Sequence, residues 1–327
     1  MISPKYLNEK TKKNLDQINK MNPLGVFKEK YIAAALLSGK TLDNGGMTVL
    51  PNIAFKEVLQ KSVMGSDFIV NATCDYTDAG TLTLSERILE VEEFQVNKTE
   101  CKKTFAQTWQ SAEMGYSVMN QELPKSFADF IVQQYIAKIA EKTEQNVWQG
   151  VNATAGEFDG ITTIAAANAA SLAGGAIVTG TTVTASNVVT ELGKVVDNVA
   201  ANSPAILDKE DLRIYVGNGI FQAYIRSLGG FALTGSAGTN DRMTQWYDGG
   251  GLSFDGVKIF LAPGMPANQM VCAQISNLYF GCGILGDLSE LRLIDTSETL
   301  GDQNVRFVAR WKAGVQIGIL GEVTYYA

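Results

Sequence analysis

The sequence feature that most constrains the fold is one long segment without glycine or proline. It begins after Pro124, with Ser126 as a candidate N-cap, and continues to Gln149, directly before Gly150. At ~1.5 Å per residue such a helix spans ~35 Å, so the rest of the fold has to be arranged around it. The apolar side chains that recur at helical spacing on one face are Ala128, Ile131, Val132, Tyr135, Ile136, Ile139 and Ala140. We therefore predict one long helix over residues 126–149.

A charged, strand-like segment lies before this helix. Residues 81–109 are rich in Thr, Val, Ile and Phe, so we predict two long strands that form one extended β-hairpin. The first strand is acidic and the second is basic, and each can therefore pair with the other or with a neighbouring copy. Because an isolated two-stranded hairpin is only marginally stable in water, we expect this one to lie on another surface. The charged residues concerned are Glu86, Glu90, Glu92, Glu93, Lys98, Lys102 and Lys103.

The second half of the chain alternates between helical and strand-like patterns. Residues 158–184 are almost without charge and rich in Ala, Gly and Thr, which indicates a joint. Ser186 is then a candidate cap of an amphipathic helix that ends before Pro204, and a buried strand and a short helix follow. Residues 229–251 predict an exposed loop, and the strand-like stretches 256–281 and 304–327 predict that the chain ends in β structure.

The absence of histidine excludes much of enzyme chemistry. With no histidine, the chain cannot supply a Ser-His-Asp triad, a Cys-His dyad, an HExxH zinc site or a histidine pH switch. Cys74, Cys101, Cys272 and Cys282 are widely spaced and form no CxxC pair, so we expect small buried side chains in a reducing cytosol. No apolar stretch reaches the ~20 residues of a membrane span, and no secretory signal is visible.

Two patterns that suggest a ligand are too weak to support one. Gly217 and Gly219 lie between a predicted strand and a predicted helix, but the third glycine of a dinucleotide-binding turn is missing. The acidic run Asp287, Glu290, Asp295, Glu298 and Asp302 does not have the spacing of an EF-hand loop. We therefore predict no enzyme activity, no cofactor and no metal.

Charge is distributed unevenly along the chain. The 27 basic residues against 34 acidic ones give a net charge of −7, which disfavours a general affinity for nucleic acid driven by net charge. Residues 1–30 nevertheless carry seven lysines against three acidic residues, with Lys10, Lys12 and Lys13 close together. This segment is either an arm that becomes ordered against a partner or a disordered tail.

Taken in order, these elements resemble the major capsid proteins of tailed bacteriophages, which have the Hong Kong 97 type of fold. Residues 81–109 are similar to the extended E-loop of that family, and residues 126–149 to the spine helix that follows it. The helix-strand-helix pattern of residues 187–228 is similar to the axial domain, and residues 305–327 resemble the closing strand of the peripheral domain. A strand pair of the family is matched by Gly256, Val257, Met265, Pro266 and Ala267, although Lys258 replaces an expected proline. Some members crosslink through a lysine and an asparagine, but no residue here matches that asparagine.

The resemblance implies an α+β fold with an N-terminal arm, an extended β-hairpin E-loop, a long spine helix in a peripheral domain and an axial α/β domain. The implied boundaries are 1–45 for the arm, 46–75 for the first part of the peripheral domain, 76–111 for the E-loop, 112–164 for the part with the spine helix, 165–275 for the axial domain and 276–327 for the closing strands.

The resemblance also implies a function, namely a capsid subunit that assembles into an icosahedral or prolate shell around packaged double-stranded DNA. Its partners would be other copies in hexamers and pentamers, a portal protein, a separate scaffolding protein, decoration proteins and, without sequence specificity, the DNA, but no membrane. It would be assembled in the host bacterial cytoplasm and located in the virion. The expected inter-subunit contacts are Arg87, Glu90, Glu92, Glu93, Lys98, Lys102 and Lys103 in the E-loop, Glu298, Asp302 and Arg306 in a turn of the peripheral domain, and Lys10, Lys12 and Lys13 in the arm.

Two alternatives remain open at this point. An encapsulin-like compartment shares the fold but encloses protein cargo. A glycine-rich enzyme or sugar-binding protein without histidine would stay monomeric and hold a ligand in a pocket of its own.

Overall fold

The computed structural model describes residues 40–64, 69–71, 74, 80–101, 125–228, 252–283, 290–296 and 301–327. The helices of this part are α1 (Lys40–Asp43), α2 (Lys125–Gln149), α3 (Ile161–Ala167), α4 (Val188–Asn202) and α5 (Asn218–Ser227). The strands are β1 (Thr48–Leu50), β2 (Lys56–Met64), β3 (Leu82–Glu90), β4 (Glu92–Cys101), β5 (Leu212–Val216), β6 (Ser253–Phe254), β7 (Val257–Leu261), β8 (Met270–Gln274), β9 (Leu278–Cys282), β10 (Glu290–Asp295), β11 (Asn304–Ile317) and β12 (Thr324–Tyr326).

The chain divides into two compact units. The first unit contains, among the described residues, 93–101, 125–140, 290–296 and 301–311. The second contains 40–64, 69–71, 74, 80–92, 141–228, 252–283 and 312–327.

The first unit is a small sheet with a helix packed on one face. β10 pairs antiparallel with β11, and β4 also pairs with β11. Tyr135 of α2 stacks on Phe307 of β11 with the ring centroids 4.6 Å apart, and its hydroxyl donates a hydrogen bond to Glu100 of β4. Burial and this carboxylate raise the pKa of Tyr135 to about 12. Because side chains alternate along a strand, the neighbours of Phe307 on β11 point away from the helix.

The second unit is built around a five-stranded sheet in the order β12-β8-β5-β7-β6. β5 is central, parallel to β7 and antiparallel to β8, and all four of its apolar residues are buried, as in a strand covered on both faces. α4 packs on this sheet through Val188, Leu192, Val195 and Val199, which recur at helical spacing. The prediction of a helix, a buried strand and a short helix in this region is confirmed.

The structure contradicts the predicted hairpin of residues 81–109. β3 and β4 do not pair with each other, because β3 pairs along its whole length with β2 and β4 pairs with β11. Only Val91 stands between them, and the tightest common hairpin connection needs two residues. The hairpin of this region is therefore β2–β3, one strand earlier than predicted.

Four smaller predictions also differ from the structure. Residues 158–184, in which a joint but no helix was predicted, contain α3 with Ile161 fully buried. The N-cap of α4 is Asn187 rather than Ser186, and α2 begins one residue before Ser126. Cys272 and Cys282 are buried as expected, whereas Cys74 is exposed and Cys101 is partly exposed. The predicted loop 229–251 lies outside the described residues.

The last strand lies where the sequence did not place it. β12 belongs to the range 276–327 that was expected to close the peripheral domain, but it pairs antiparallel with β8, within the expected axial range. The Tyr326 hydroxyl donates to Glu191 of α4 at 2.7 Å, so the chain's final residues complete the sheet under α4.

Candidate functional site

The second unit contains a separate two-stranded sheet, formed by β2 and β3 and called here the ribbon. The two strands pair antiparallel from Lys56 opposite Glu90 to Met64 opposite Leu82. Directly opposite residues share a face, and successive residues alternate between faces. The ribbon therefore has one face with the odd-numbered residues and one with the even-numbered residues.

The odd-numbered face is seated on the chain's own body. Leu89 is fully buried and forms a small core with Ile53 and Val91, against which Leu59 and Tyr279 pack. Gly281 permits this close approach, because an added Cβ there would lie 2.9–3.0 Å from side-chain atoms of Ile53, Leu89 and Val91. We call this odd-numbered side the seated face.

Gly314 of β11, which is paired with Gly281 of β9, also allows the ribbon to lie close to the body of the chain. A Cβ added at Gly314 would lie 2.2 Å from the backbone oxygen of Glu90, a distance that no side chain can accommodate without a shift. The base of the ribbon therefore rests directly on backbone.

Polar contacts extend the seat along the ribbon. Arg87 donates from Nη2 to Oε1 of Gln316 at 2.9 Å, and Gln316 donates from Nε2 to the carbonyl oxygen of Ile88 at 2.7 Å. Further along, Lys61 lies 3.9 Å from Glu322. Burial lowers the pKa of Arg87, and its Nε has no hydrogen-bond partner within the described part of the chain, but a guanidinium stays charged at any physiological pH.

The even-numbered face, called here the outer face, is apolar and exposed. Val58 and Ile88 lie opposite each other with 48% and 49% of their surface exposed, and Leu82 and Leu84 are 61% and 66% exposed. The polar pair Gln60 and Glu86 lies between Leu84 and the Val58–Ile88 pair, and exposed aliphatic side chains grouped on one face in this way are typical of an interaction surface. The aliphatic side chains are aligned on one face by the register of the strands, so the patch is a consequence of the sequence pattern.

The outer face carries one ion pair and one further carboxylate. Lys56 forms an ion pair with Glu90 at 3.2 Å, and Glu86 accepts a hydrogen bond from the amide of Gln60 at 3.1 Å. Because that amide is neutral, the charge of Glu86 is not balanced by this contact. The outer face thus combines an aliphatic stripe with one acidic group.

The carboxylates of Glu90, Glu92 and Asp159 interact electrostatically at the base of the ribbon. Partial burial raises the pKa of Glu92, and the nearby carboxylates of Asp159 and Glu90 raise it further, against a hydrogen bond from Asn152 that lowers it. Asp159 also accepts a hydrogen bond from the backbone N–H of Asn152 at 2.9 Å. In the described residues no three cysteine, aspartate or glutamate side chains are grouped so that they could hold a metal ion.

The structure brings only some of the predicted contact residues together. Arg87 and Glu90 belong to the ribbon, with Glu92 just beyond it. Glu93 and Lys98 are exposed on β4 in the first unit, where Lys98 lies 3.6 Å from Glu100. Asp302 and Arg306 are also exposed. The other predicted contact residues, Lys10, Lys12, Lys13, Lys102, Lys103 and Glu298, lie outside the described residues.

The sequence interpretation missed β2, which supplies half of the ribbon. A signal was present, because residues 65–80 between the two strands are rich in turn formers, including Gly65, Asp67, Asp78 and Gly80. Polar and apolar residues do not alternate regularly over residues 56–64, since Val58, Gln60 and Ser62 share one face, so the pattern was too weak to indicate a strand by itself.

The ribbon presents an exposed apolar surface. No helix within the part of the chain that the structure describes has the length and apolar character needed to cross a membrane. The apolar patch is carried by two paired strands, which suits face-to-face packing against another sheet or helix.

Three of the solved structures that are similar to this chain are shells of phages and of a GTA particle. The procapsid of satellite phage P4, which includes a size determination (Sid) protein, is 12% identical with a TM-score of 0.52, and the match covers 91% of this chain and 98% of that one. The capsid of Myoviridae phage XM1 is 11% identical with a TM-score of 0.53, covering 88% and 91%. The capsid of the native GTA particle is 12% identical with a TM-score of 0.52, covering 88% and 90%.

No protein-family model matches the chain, and no curated protein sequence matches it. The likeness is therefore one of architecture. The chain has the Hong Kong 97 type of capsid fold, as the sequence resemblance predicted.

Proposed function

We propose that the chain is the major capsid protein of a tailed bacteriophage, which assembles by itself into an icosahedral or prolate shell around packaged double-stranded DNA. The observation that carries the proposal is the exposed aliphatic outer face of the ribbon on a chain with a capsid fold. Fully burying a leucine or isoleucine side chain contributes about 1.5–3 kcal/mol, so covering even part of this stripe favours association.

The seat of the ribbon explains how an exposed stripe is kept available. Because Leu89 is buried and Arg87 is bonded to Gln316, the seated face is fixed to the body, and the outer face is held open for a partner. In this proposal β2–β3, rather than residues 76–111, takes the place of the E-loop and lies across an adjacent copy.

If the chain assembles into a phage shell, further arrangements and partners are expected. Copies would be arranged as hexamers and pentamers, with a portal protein at one vertex and with scaffolding and decoration proteins as further partners. The packaged DNA would be contacted without sequence specificity, assembly would occur in the host cytoplasm, and the chain would have no catalytic role. The division into arm, peripheral and axial domains stays a prediction.

Electron microscopy of the expressed chain tests this proposal. We expect closed shells of uniform size from the intact chain. A matched variant replaces residues 61–85 with an Asn-Gly turn, which joins the opposed pair Gln60 and Glu86 and keeps the seat at Leu59 and Leu89. This variant should fold, as judged by circular dichroism, and should form no shells. A chain that stays monomeric at high concentration and holds a small ligand would contradict the proposal.

The contents of particles purified from their natural source separate a phage shell from the compartment alternative. Nuclease-protected double-stranded DNA supports the phage shell. A protein cargo in particles that contain no DNA would instead support an encapsulin-like compartment.

A further inference from the structure

The five-stranded sheet of the second unit is extended beyond β12 by residues 177–179, which lie along that strand. Val178 forms a parallel bridge with Tyr326. Its N–H donates to the carbonyl oxygen of Tyr325 at 2.9 Å, and its carbonyl oxygen accepts from the N–H of Ala327 at 3.1 Å. Both backbone groups of Val178 are therefore used within the subunit.

The outer side of residues 177–179 is an unpaired sheet edge, called here the free edge. Successive residues of a strand direct their backbone groups to opposite sides, so those of Ile177 and Thr179 point away from β12. Neither residue has a hydrogen-bond partner within the part of the chain that the structure describes, and Thr179 is exposed. Proteins usually protect such edges with charged residues or proline, because a bare edge pairs with other chains. Residues 161–190 contain neither.

The surface that surrounds the free edge in this segment is free of charged side chains. Charged residues make up 19% of the whole chain, yet residues 161–190 contain none. Much of the segment is exposed, including Ala176, Thr182 and Ala185. The centres of protein interfaces are depleted in charge, and small side chains lose little conformational entropy when they are covered. A bare edge within a neutral surface therefore indicates an interface with another chain.

Charge and symmetry favour a second copy of this chain as the partner. The net charge of −7 makes copies repel each other where charged surfaces meet, and least where the surface is neutral. A two-fold axis through Val178 would pair Ile177 of each copy with Thr179 of the other. Each such pair would exchange both backbone hydrogen bonds, as in a regular antiparallel ladder, and the two Val178 side chains would lie opposite each other. Because Val178 packs on the core under α4, that core would continue across the axis.

We propose that the free edge pairs antiparallel with the free edge of a second copy, about a two-fold axis through Val178. The contact is isologous, because both copies use the same surface, and it therefore closes at a dimer. This inference goes beyond the proposed function, since it uses neither the ribbon nor the shell. We expect the dimer in dissociated subunits as well as in assembled particles.

A symmetric disulfide tests the position of the axis. Opposed residues of a non-hydrogen-bonded pair have Cα atoms ~4.5 Å apart, within the range that a disulfide spans. In a background with Cys74→Ser and Cys101→Ser, we expect Val178→Cys to form a disulfide-linked dimer under mild oxidation, visible on a non-reducing gel. Val183→Cys is the matched control, because Val183 is another half-buried valine of the segment that lies away from the axis, and it should give no dimer.

The outcomes distinguish this inference from the proposed function. Dimers of Val178→Cys without any particles would support the inference and contradict the proposed function, whereas particles in which Val178→Cys forms no dimer would overturn the inference alone. Equal amounts of dimer from Val178→Cys and Val183→Cys, or a ladder of higher oligomers, would also overturn it. A disulfide between Val178→Cys and a different protein, in particles assembled in the host, would assign the free edge to that protein instead.

A charge exchange tests the register and does not depend on the disulfide. Thr179→Lys brings two lysines close together across the axis, and we expect it to raise the dissociation constant of the dimer about tenfold in analytical ultracentrifugation of dissociated subunits. Adding Ile177→Glu should recover most of that loss, because each lysine would then lie opposite a glutamate. Thr190→Lys on α4, another exposed threonine, is the control and should have little effect. Wild-type subunits that stay monomeric at high concentration, or a loss that Ile177→Glu does not recover, would overturn the inference.

Discussion

At the scale of single residues, the carboxylate of Glu191 is held by three hydrogen bonds under α4. It accepts from the Tyr326 hydroxyl at 2.7 Å, from Nζ of Lys194 at 2.8 Å and from Oγ1 of Thr181 at 3.1 Å. Burial alone would raise the pKa of Glu191, but these three donors together outweigh it and hold the pKa below its usual value. The charge therefore ties the chain's penultimate residue to the core of the second unit.

The substitution Glu191→Gln should lower the free energy of unfolding at pH 7 by about 1–3 kcal/mol, because a charged acceptor with an ion pair is replaced by a neutral one. Since the folded-state pKa is lowered, this stabilisation is fully present above the ordinary pKa of about 4.3 and is lost as the pH falls through the folded value. Urea unfolding of dissociated subunits at pH 7 and below pH 4 measures it. A difference between wild type and variant that does not narrow at low pH would contradict the assignment.

Gly314 is a second residue whose identity is dictated by a contact. We expect Gly314→Ala to lower the free energy of unfolding by about 1–3 kcal/mol, because the new methyl group would press on the backbone of Glu90. Gly193→Ala in α4 is the control, since an added Cβ there has nothing within 4 Å and alanine favours a helix by about 1 kcal/mol. Equal effects of the two substitutions on urea unfolding would mean that Gly314 is not needed for the seat.

At the scale of elements, the two faces of the ribbon have different roles. The seated face stabilises the subunit, and the outer face is proposed to contact another copy. Leu89 and Leu84 are on the same strand but on opposite faces, the first fully buried and the second mostly exposed. Leu89→Ala should lower the free energy of unfolding by about 2–5 kcal/mol, as expected for a leucine in a core. Leu84→Ser should change it by less than about 0.5 kcal/mol, as is usual for surface positions.

Shell assembly, unlike the free energy of unfolding, should be sensitive to a substitution at Leu84. We expect Leu84→Ser to stop or strongly delay shell formation although the subunit is as stable as wild type. Urea unfolding and light scattering during assembly give the two readings. Normal assembly of Leu84→Ser would show that the outer face is merely exposed.

Local sequence patterns predicted the wrong partner strand for β3. Residues 82–90 and 92–101 are both strand-like and adjacent, which favours a hairpin between them, but Val91 alone cannot form the turn. The true partner, β2, lies beyond residues 65–80, and β4 pairs with β11, some two hundred residues further on. Pairings between distant segments depend on packing that local periodicity does not encode. The sequence shows that Leu82, Leu84 and Ile88 are apolar. That they share one exposed face became clear only from the register of β3 with β2.

At the scale of the whole molecule, element order was a better guide than any motif. The long helix at 125–149, the helix-strand-helix around β5 and the β-rich ending were predictable, because strong periodicity and chain punctuation at Gly150 and Pro204 mark them. The place of β12 was not predictable, since it depends on the bond from Tyr326 to Glu191. Identities of 11–12% to the solved shells indicate that architecture persists where individual residues do not.

In the proposed shell, the outer face of the ribbon is covered by another copy of the chain. A cryo-electron microscopy map of particles assembled from the intact chain measures this directly. We expect closed particles in which Leu82, Leu84 and Ile88 are covered by a neighbouring copy. Particles in which these side chains face solvent, or a concentrated sample that contains only monomers, would contradict it.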